Sequence, residues 1–333
     1  MQPLLEMRNL QVGFATELGP VPVVRGVDLQ IGRGEIVGLV GESGSGKSVT
    51  CMAAMGLLDD NARLQGEIRW QGKRLATQND KAMSVLRGSE LAMIFQDPMS
   101  TLNPVQTIGK QLYEAICINH PERMSRRKLQ TRALDLLRDV GVPAPEQRLK
   151  AYPHQLSGGL NQRVVIAMML AGNPSLLIAD EPTTALDVTV QAQIIELLQE
   201  LRSKRGMSII LVTHDLGVVA ETCDRVVVMY CGEIVEHGPV SKVFSNPRHP
   251  YTHGLLASLP RIDSSDTNLE PIPGVVPHPD QLSEGCAFAP RCPHAAACCY
   301  SGSPMMQCSD SEHLFACFSP FPVNAESRQA HAS

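Results

Sequence analysis

Apolar positions along this chain change their spacing three times. Residues 1–75 carry short apolar runs at 4–10, 23–31 and 67–70, punctuated by Gly19-Pro20 and Gly32-Arg33-Gly34. That pattern predicts strands joined by turns. Residues 105–150 read as amphipathic helix. Over 126–140, Leu129, Ala133, Leu136, Leu137 and Val140 fall at helical spacing with charges between them. Beyond 150 the two periods alternate, with strands expected at 175–179, 208–213 and 225–230 and helices at 190–202 and 216–222. Such alternation predicts an α/β fold built on a mostly parallel sheet with helices on its faces. From about Phe244 onward Pro, His and Ser become frequent and regular elements thin out. There is no internal repeat and no low-complexity tract.

One junction between periods carries chemistry. The apolar run 35–40 leads into Gly41-Glu42-Ser43-Gly44-Ser45-Gly46-Lys47-Ser48, and an expected helix begins at Ser48-Val49. The octet fits G-x-x-x-x-G-K-S/T, the phosphate-binding P-loop, in the strand–loop–helix setting that the motif requires. Glycines let the backbone wrap an anion, and the helix N-terminus adds partial positive charge. In this reading Gly41, Ser43, Gly44, Ser45, Gly46 and Val49 line the ATP phosphates. Lys47 reaches the β- and γ-phosphates, and the Ser48 hydroxyl ligates Mg²⁺.

Other strand ends add to it. The run 176–179 finishes in Asp180-Glu181. Asp180 is placed to share the Mg²⁺ with Ser48, and Glu181 to orient and polarise an attacking water. Gln96, after an apolar strand, is a candidate contact to Mg²⁺ and water. His214, after 208–213, is a candidate for holding the γ-phosphate. Each recurs at a strand end, which weighs against coincidence.

Length and charge set limits on the partners. The chain has 333 residues, 43% of them hydrophobic and 19% charged, with a formal net charge of −5. That size accommodates two domains, and that charge gives no reason to expect nucleic-acid binding. No apolar stretch approaches the roughly 18 residues of a spanning helix; the run 164–171 has the length of a core helix or strand. The N-terminus does not read as a signal peptide. A cytosolic chain, associated with a membrane only through partners, is the expectation.

Leu156-Ser157-Gly158-Gly159-Leu160 precedes Asp180 and resembles the LSGGQ signature of ATP-binding cassette (ABC) ATPases, with Leu160 replacing the Gln. Walker A, Q-loop, signature, Walker B, D-loop (Ala185-Leu186-Asp187) and H-loop follow in order, so the resemblance covers residues 4–245. It implies a P-loop NTPase cassette with a mostly parallel core sheet, an N-terminal antiparallel β subdomain and a helical subdomain at about 97–160. It also implies that Phe14 stacks on adenine. Glu181, His214 and Gln96 would serve hydrolysis, and Ser157, Gly158 and Gly159 would cap ATP bound by a second subunit.

The segment 230–252, with Asn246-Pro247-Arg248-His249-Pro250-Tyr251-Thr252, resembles the oligopeptide/dipeptide branch of bacterial ABC importers, as does Gly285-Cys286-Ala287-Phe288-Ala289-Pro290-Arg291-Cys292-Pro293. Residues 1–245 are thus expected to form the cassette and 246–333 a C-terminal extension. The resemblance implies two transmembrane permease subunits, a paralogous ATPase subunit and an extracytoplasmic solute-binding protein, at the cytoplasmic face of the inner membrane. The cargo expected is di- or oligopeptides; nickel, a metal chelate or another small solute is the alternative. A soluble ABC ATPase acting on ribosomes or DNA is the reading from another class.

Six of the ten cysteines crowd into residues 286–317. Cys286, Cys292, Cys299 and Cys317 match the branch's pattern, and thiolates gathered from a loop-rich segment can hold a 4Fe–4S cluster. Zinc and free thiols are the rivals, and Cys298 and Cys308 are alternative ligands.

Overall fold

The computed structural model describes residues 2–17, 19–77, 79–120, 124–184, 186–258, 272–282, 284–310 and 312–321. In chain order the strands are β1 (Leu5–Thr16), β2 (Gly19–Ile31), β3 (Ile36–Val40), β4 (Ala62–Trp70), β5 (Lys73–Arg74), β6 (Leu91–Ile94), β7 (Leu176–Asp180), β8 (Ser208–Val212), β9 (Arg225–Tyr230), β10 (Glu233–Pro239), β11 (Gln307–Asp310) and β12 (His313–Phe315). The α-helices are α1 (Lys47–Met55), α2 (Asp80–Leu86), α3 (Pro98–Thr101), α4 (Ile108–Asn119), α5 (Arg126–Asp139), α6 (Pro145–Arg148), α7 (Gly158–Met169), α8 (Val188–Arg205), α9 (Leu216–Thr222), α10 (Val240–Ser245), α11 (Pro250–Ala257) and α12 (Ala297–Ser301).

The described strands form two sheets. The first, β2-β1-β4-β5, is antiparallel. The second has the order β11-β12-β10-β9-β3-β8-β7-β6. Its centre, β9-β3-β8-β7-β6, is parallel. Every residue of β3, β6, β7 and β8 is buried. A strand covered on both faces has no polar side to alternate with, which is why these runs read as continuously apolar. The run 164–171 resolves as the second half of α7 and the start of the 3₁₀ turn Leu170–Gly172 that follows it, and Val164, Val165, Ile166 and Ala167 are fully enclosed.

Two apolar clusters divide the interior. One joins Val37, Leu39, Ile178 and Ile210 of the parallel sheet to Leu5, Leu10, Ile31 and Ile68 of the antiparallel sheet, with α1 among them. The other joins the opposite face (Ile36, Leu177, Ile209) to α4, α5, α7 and α8. At about 25 cal/mol per Å² of apolar area removed from water, these two interfaces are the main stabilising contribution.

The C-terminal segment belongs to the larger sheet. Glu236 and His237 of β10 pair with Phe315 and Leu314 of β12, which adds β12 and β11 to its far side. Buried Glu236 reinforces this join. Its carboxylate accepts the backbone N–H groups of Arg248 (2.7 Å) and His249 (2.8 Å) and meets His313 Nε2 at 2.6 Å. Buried carboxylates persist when several donors satisfy them in this way.

Candidate functional site: a P-loop at the carboxyl edge of the parallel sheet

Four neighbouring strands end at one edge. β3 runs into the P-loop, β8 into Thr213-His214, β7 into Glu181 and β6 into Phe95-Gln96. Parallel strands place all their C-terminal ends on one side, so loops far apart in sequence meet there. This brings Lys47, Gln96, Asp180, Glu181 and His214 together.

In the P-loop, Ser43 and Gly44 form an exposed crest, while Gly41, Ser45, Gly46 and Lys47 are buried. Gly41 has φ 150°, and a Cβ there would stand 2.2 Å from the Met229 carbonyl oxygen of β9, so only glycine lets the loop leave β3 this closely. Lys47 Nζ donates to the Gly41 carbonyl (2.8 Å), the Glu42 carbonyl (2.9 Å) and Ser45 Oγ (3.2 Å). Burial lowers the Lys47 pKa, while the Glu181 and Asp180 carboxylates oppose that shift. Its ammonium is therefore held by loop oxygens with two carboxylates nearby, a site suited to a polyphosphate.

Burial raises the Asp180 carboxyl above the usual range; the Ser48 hydroxyl, hydrogen-bonded to it, opposes the shift, as Lys47 does, while Glu181 adds to it. A buried carboxylate paired with a hydroxyl at a P-loop is a hard oxygen donor set, and a divalent cation would offset its desolvation. Ser48 and Asp180 therefore fit Mg²⁺.

Glu181 has φ 46°, unusual for a residue with a side chain and costing about 1–3 kcal/mol. Its N–H donates to the Val212 carbonyl at 2.9 Å, which ties this turn to the end of β8. Its Oε2 accepts Gln96 Nε2 (2.9 Å) and Thr184 Oγ1 (2.8 Å), and its Oε1 lies 3.6 Å from His214 Nδ1. Gln96 and Thr184 are thus hydrogen-bonded to Glu181 beside the P-loop, and His214 stands next to its other carboxylate oxygen without a hydrogen bond. His214 is largely exposed.

The signature residues stand apart from that group. Ser157 caps α7, its Oγ accepting the Leu160 N–H at 3.4 Å, and both Ser157 and Gly158 are exposed. Leu160 thus contributes its amide to the cap, a role independent of its side chain. Gly159 permits a close packing, since a Cβ there would lie 2.5 Å from Val190 Cγ1 of α8. Asp187 caps α8 by accepting the Val190 N–H at 2.9 Å; Ala185 lies outside the described residues. Phe14 is half-buried on β1, paired with Val21 and Ala62. Val49 is half-buried against the core on the first turn of α1.

The expected metal set of cysteines is not assembled: among the described residues no group of three or more His, Cys, Asp or Glu stands ready to hold a metal ion. The ten cysteines are free thiols. Cys286, Cys292, Cys299 and Cys317 are nevertheless mutual electrostatic neighbours. Burial lifts the Cys317 thiol to about 11, and Cys286, Cys292 and Cys299 push it the same way. Cys286 and Cys292 are also raised, mainly by burial. Cys298 and Cys308 are exposed.

Known proteins resemble this arrangement. The family described as ABC transporter matches residues 24–184, and the one described as oligopeptide/dipeptide transporter, C-terminal region, matches 235–299. The oligopeptide transport ATP-binding protein AppD of Bacillus subtilis is 49% identical over 320 residues, 96% of this chain and 97% of its own length. The dipeptide transport ATP-binding protein DppD of Haemophilus influenzae is 49% identical over 304 residues, 91% of this chain and 92% of its own. A solved dimeric structure of the ATP-binding cassette MJ0796, bound to ADP and Pi, has a TM-score of 0.64 at 28% identity and covers 71% of this chain and 98% of that one. Fold and site define an ATP-binding cassette ATPase. Within that class, the chain belongs to the oligopeptide/dipeptide transport ATP-binding proteins of the ABC transporter family.

Sequence reasoning missed Thr184 and the contacts around Glu42. Thr184 follows Glu181 by three residues in a turn, a spacing that allows its hydroxyl to bond back, but nothing in the motif demanded it. Lys47→Ala removes the ammonium that the loop oxygens hold. ATP affinity is expected to fall about ten- to a hundredfold, the range of one charge-assisted contact. Titration of the purified chain with a fluorescent ATP analogue checks this; unchanged affinity would put the phosphates elsewhere.

Proposed function

We propose that this chain is the ATP-hydrolysing subunit of an importer for di- or oligopeptides, working through partner permeases. The observation that carries this reading is a complete P-loop site joined to a C-terminal region of the oligopeptide/dipeptide type, in a chain 49% identical to a transport ATP-binding protein along nearly its whole length. No helix among the described residues is long and apolar enough to cross a membrane. In this reading the subunit acts peripherally, at the cytoplasmic face of the inner membrane, through its permease partners. Its partners are two permeases, a paralogous ATPase subunit and an extracytoplasmic solute-binding protein.

In this reading the P-loop amides and Lys47 bind the phosphates, and Phe14 stacks on adenine. Ser48, Asp180 and Gln96 would hold Mg²⁺. When bound, Mg²⁺ neutralises charge on the phosphates. Glu181, carrying Gln96 and Thr184 on one oxygen, has its other oxygen free to accept a water proton. His214 holds the γ-phosphate. Ser157, Gly158 and Gly159 of α7 cap the nucleotide on a second subunit, a role supported by the exposure of Ser157 and Gly158. Residues 1–245 form the cassette and 246–333 the extension.

Once drawn together, Cys286, Cys292, Cys299 and Cys317 would hold an iron–sulfur cluster, 4Fe–4S in type, with zinc as the alternative, as a staple for a segment with few regular elements. What supports this is their mutual coupling and soft-donor chemistry.

Mild-detergent purification of the tagged chain from native membranes tests the transport reading. Two polytopic permeases, a second ATPase and a binding protein should co-purify. Recovery in the soluble fraction with ribosomes or nucleic acid would overturn it. In that purified assembly, Glu181→Gln should retain ATP binding and lose hydrolysis by at least about a hundredfold; near-normal turnover would reassign the base. Anaerobically purified protein should absorb visible light, and lose that absorption in Cys292→Ser but not in Cys308→Ser. A colourless wild type, or equal loss in both variants, would refute the thiol assignment.

A further inference from the structure

We propose that Arg291 and Tyr251 of the C-terminal region are positioning residues for the P-loop, holding Glu42 and through it the phosphate-binding Lys47. Glu42 is the second residue of the loop, and three of its polar groups are engaged. Its carbonyl accepts Lys47 Nζ at 2.9 Å. Its N–H donates to the Tyr251 hydroxyl at 2.8 Å. Its carboxylate takes a two-pronged grip from Arg291, Nη1 to Oε2 at 2.7 Å and Nη2 to Oε1 at 3.0 Å. Two of the three partners lie more than two hundred residues away in sequence, outside the P-loop motif.

The brace is stiff at its far end. Arg291 is 5% exposed and its Nε donates to the Pro273 carbonyl at 2.8 Å, which fixes the guanidinium plane. The guanidinium also lies over the Tyr230 ring, 5.8 Å from its centroid. Tyr251 is fully buried and packs on Tyr230 and Phe288, with ring centroids 4.7 and 5.4 Å away. Glu236 secures the start of α11 by accepting the Arg248 and His249 N–H groups, and His249 Nδ1 in turn accepts the Tyr251 N–H at 3.0 Å. A rigid support of this kind sets one loop conformation before nucleotide arrives, so less ordering free energy opposes binding. The C-terminal region reaches the loop because β9, which joins it to the sheet through β10, is the immediate neighbour of β3.

The test uses the full chain titrated with a fluorescent ATP analogue, with steady-state hydrolysis measured in parallel. It rests on the ATP reading of the loop, and Lys47→Ala serves as the control for that reading. Arg291→Gln and Glu42→Gln should each weaken nucleotide binding at least about fivefold, with KM rising more than kcat falls. The double variant should be no weaker than the worse single one, because both remove the same contact. Arg291→Lys, which keeps the charge but not the fork, should fall between. Tyr251→Phe keeps the ring packing and removes one hydroxyl, so it should also weaken binding even if Arg291→Gln fails to fold. Effects of the Arg291 and Glu42 changes that multiply would overturn the brace. So would wild-type affinity in Tyr251→Phe and Arg291→Lys alongside a loss in Lys47→Ala.

Discussion

A strand buried on both faces can put chemistry only at its ends, and the whole site follows from that constraint. β3, β8, β7 and β6 have no exposed side-chain face, and they run parallel. Their carboxyl ends therefore share one edge, where the P-loop, His214, Asp180-Glu181 and Gln96 converge. The apolar clusters above and below the sheet hold that edge in place.

At the edge, charges are set against one another in partial burial. Lys47 loses hydration and regains contacts from loop oxygens, with the charge of two nearby carboxylates in its favour. Asp180 loses hydration and regains a hydroxyl and the lysine. Such a site is most favourable when a polyphosphate and a cation complete it. Glu181 sits beside it in a strained backbone conformation, with one carboxylate oxygen occupied by Gln96 and Thr184. Strain of this kind persists because the surrounding bonds, including the one to the Val212 carbonyl, over-determine the turn.

The C-terminal region is part of this machinery by topology. Its strands extend the same sheet, its buried core residue Phe288 packs on Tyr230 and Tyr251, and its Arg291 reaches Glu42. The two signature glycines show a similar economy: they leave the start of α7 open and also let it lie against the segment at 186–190.

Local pattern determined much of this protein. The P-loop octet, the strand ends at Asp180, His214 and Gln96, and the alternation of strands and helices were legible because each depends on neighbours within a few residues. The predicted strands and helices between 175 and 230 match β7, α8, β8, α9 and β9 to within three residues at each end, the largest difference being the C-terminal end of α8. The run at 164–171 stayed ambiguous until packing enclosed it as helix, since a short apolar stretch satisfies either period. What only the tertiary structure decided were contacts across long separations: Gln96 with Glu181, β12 with β10, and Arg291 and Tyr251 with Glu42. None of these leaves a local periodicity, because the partner of each side chain is chosen by strand order, and strand order is a property of the folded sheet.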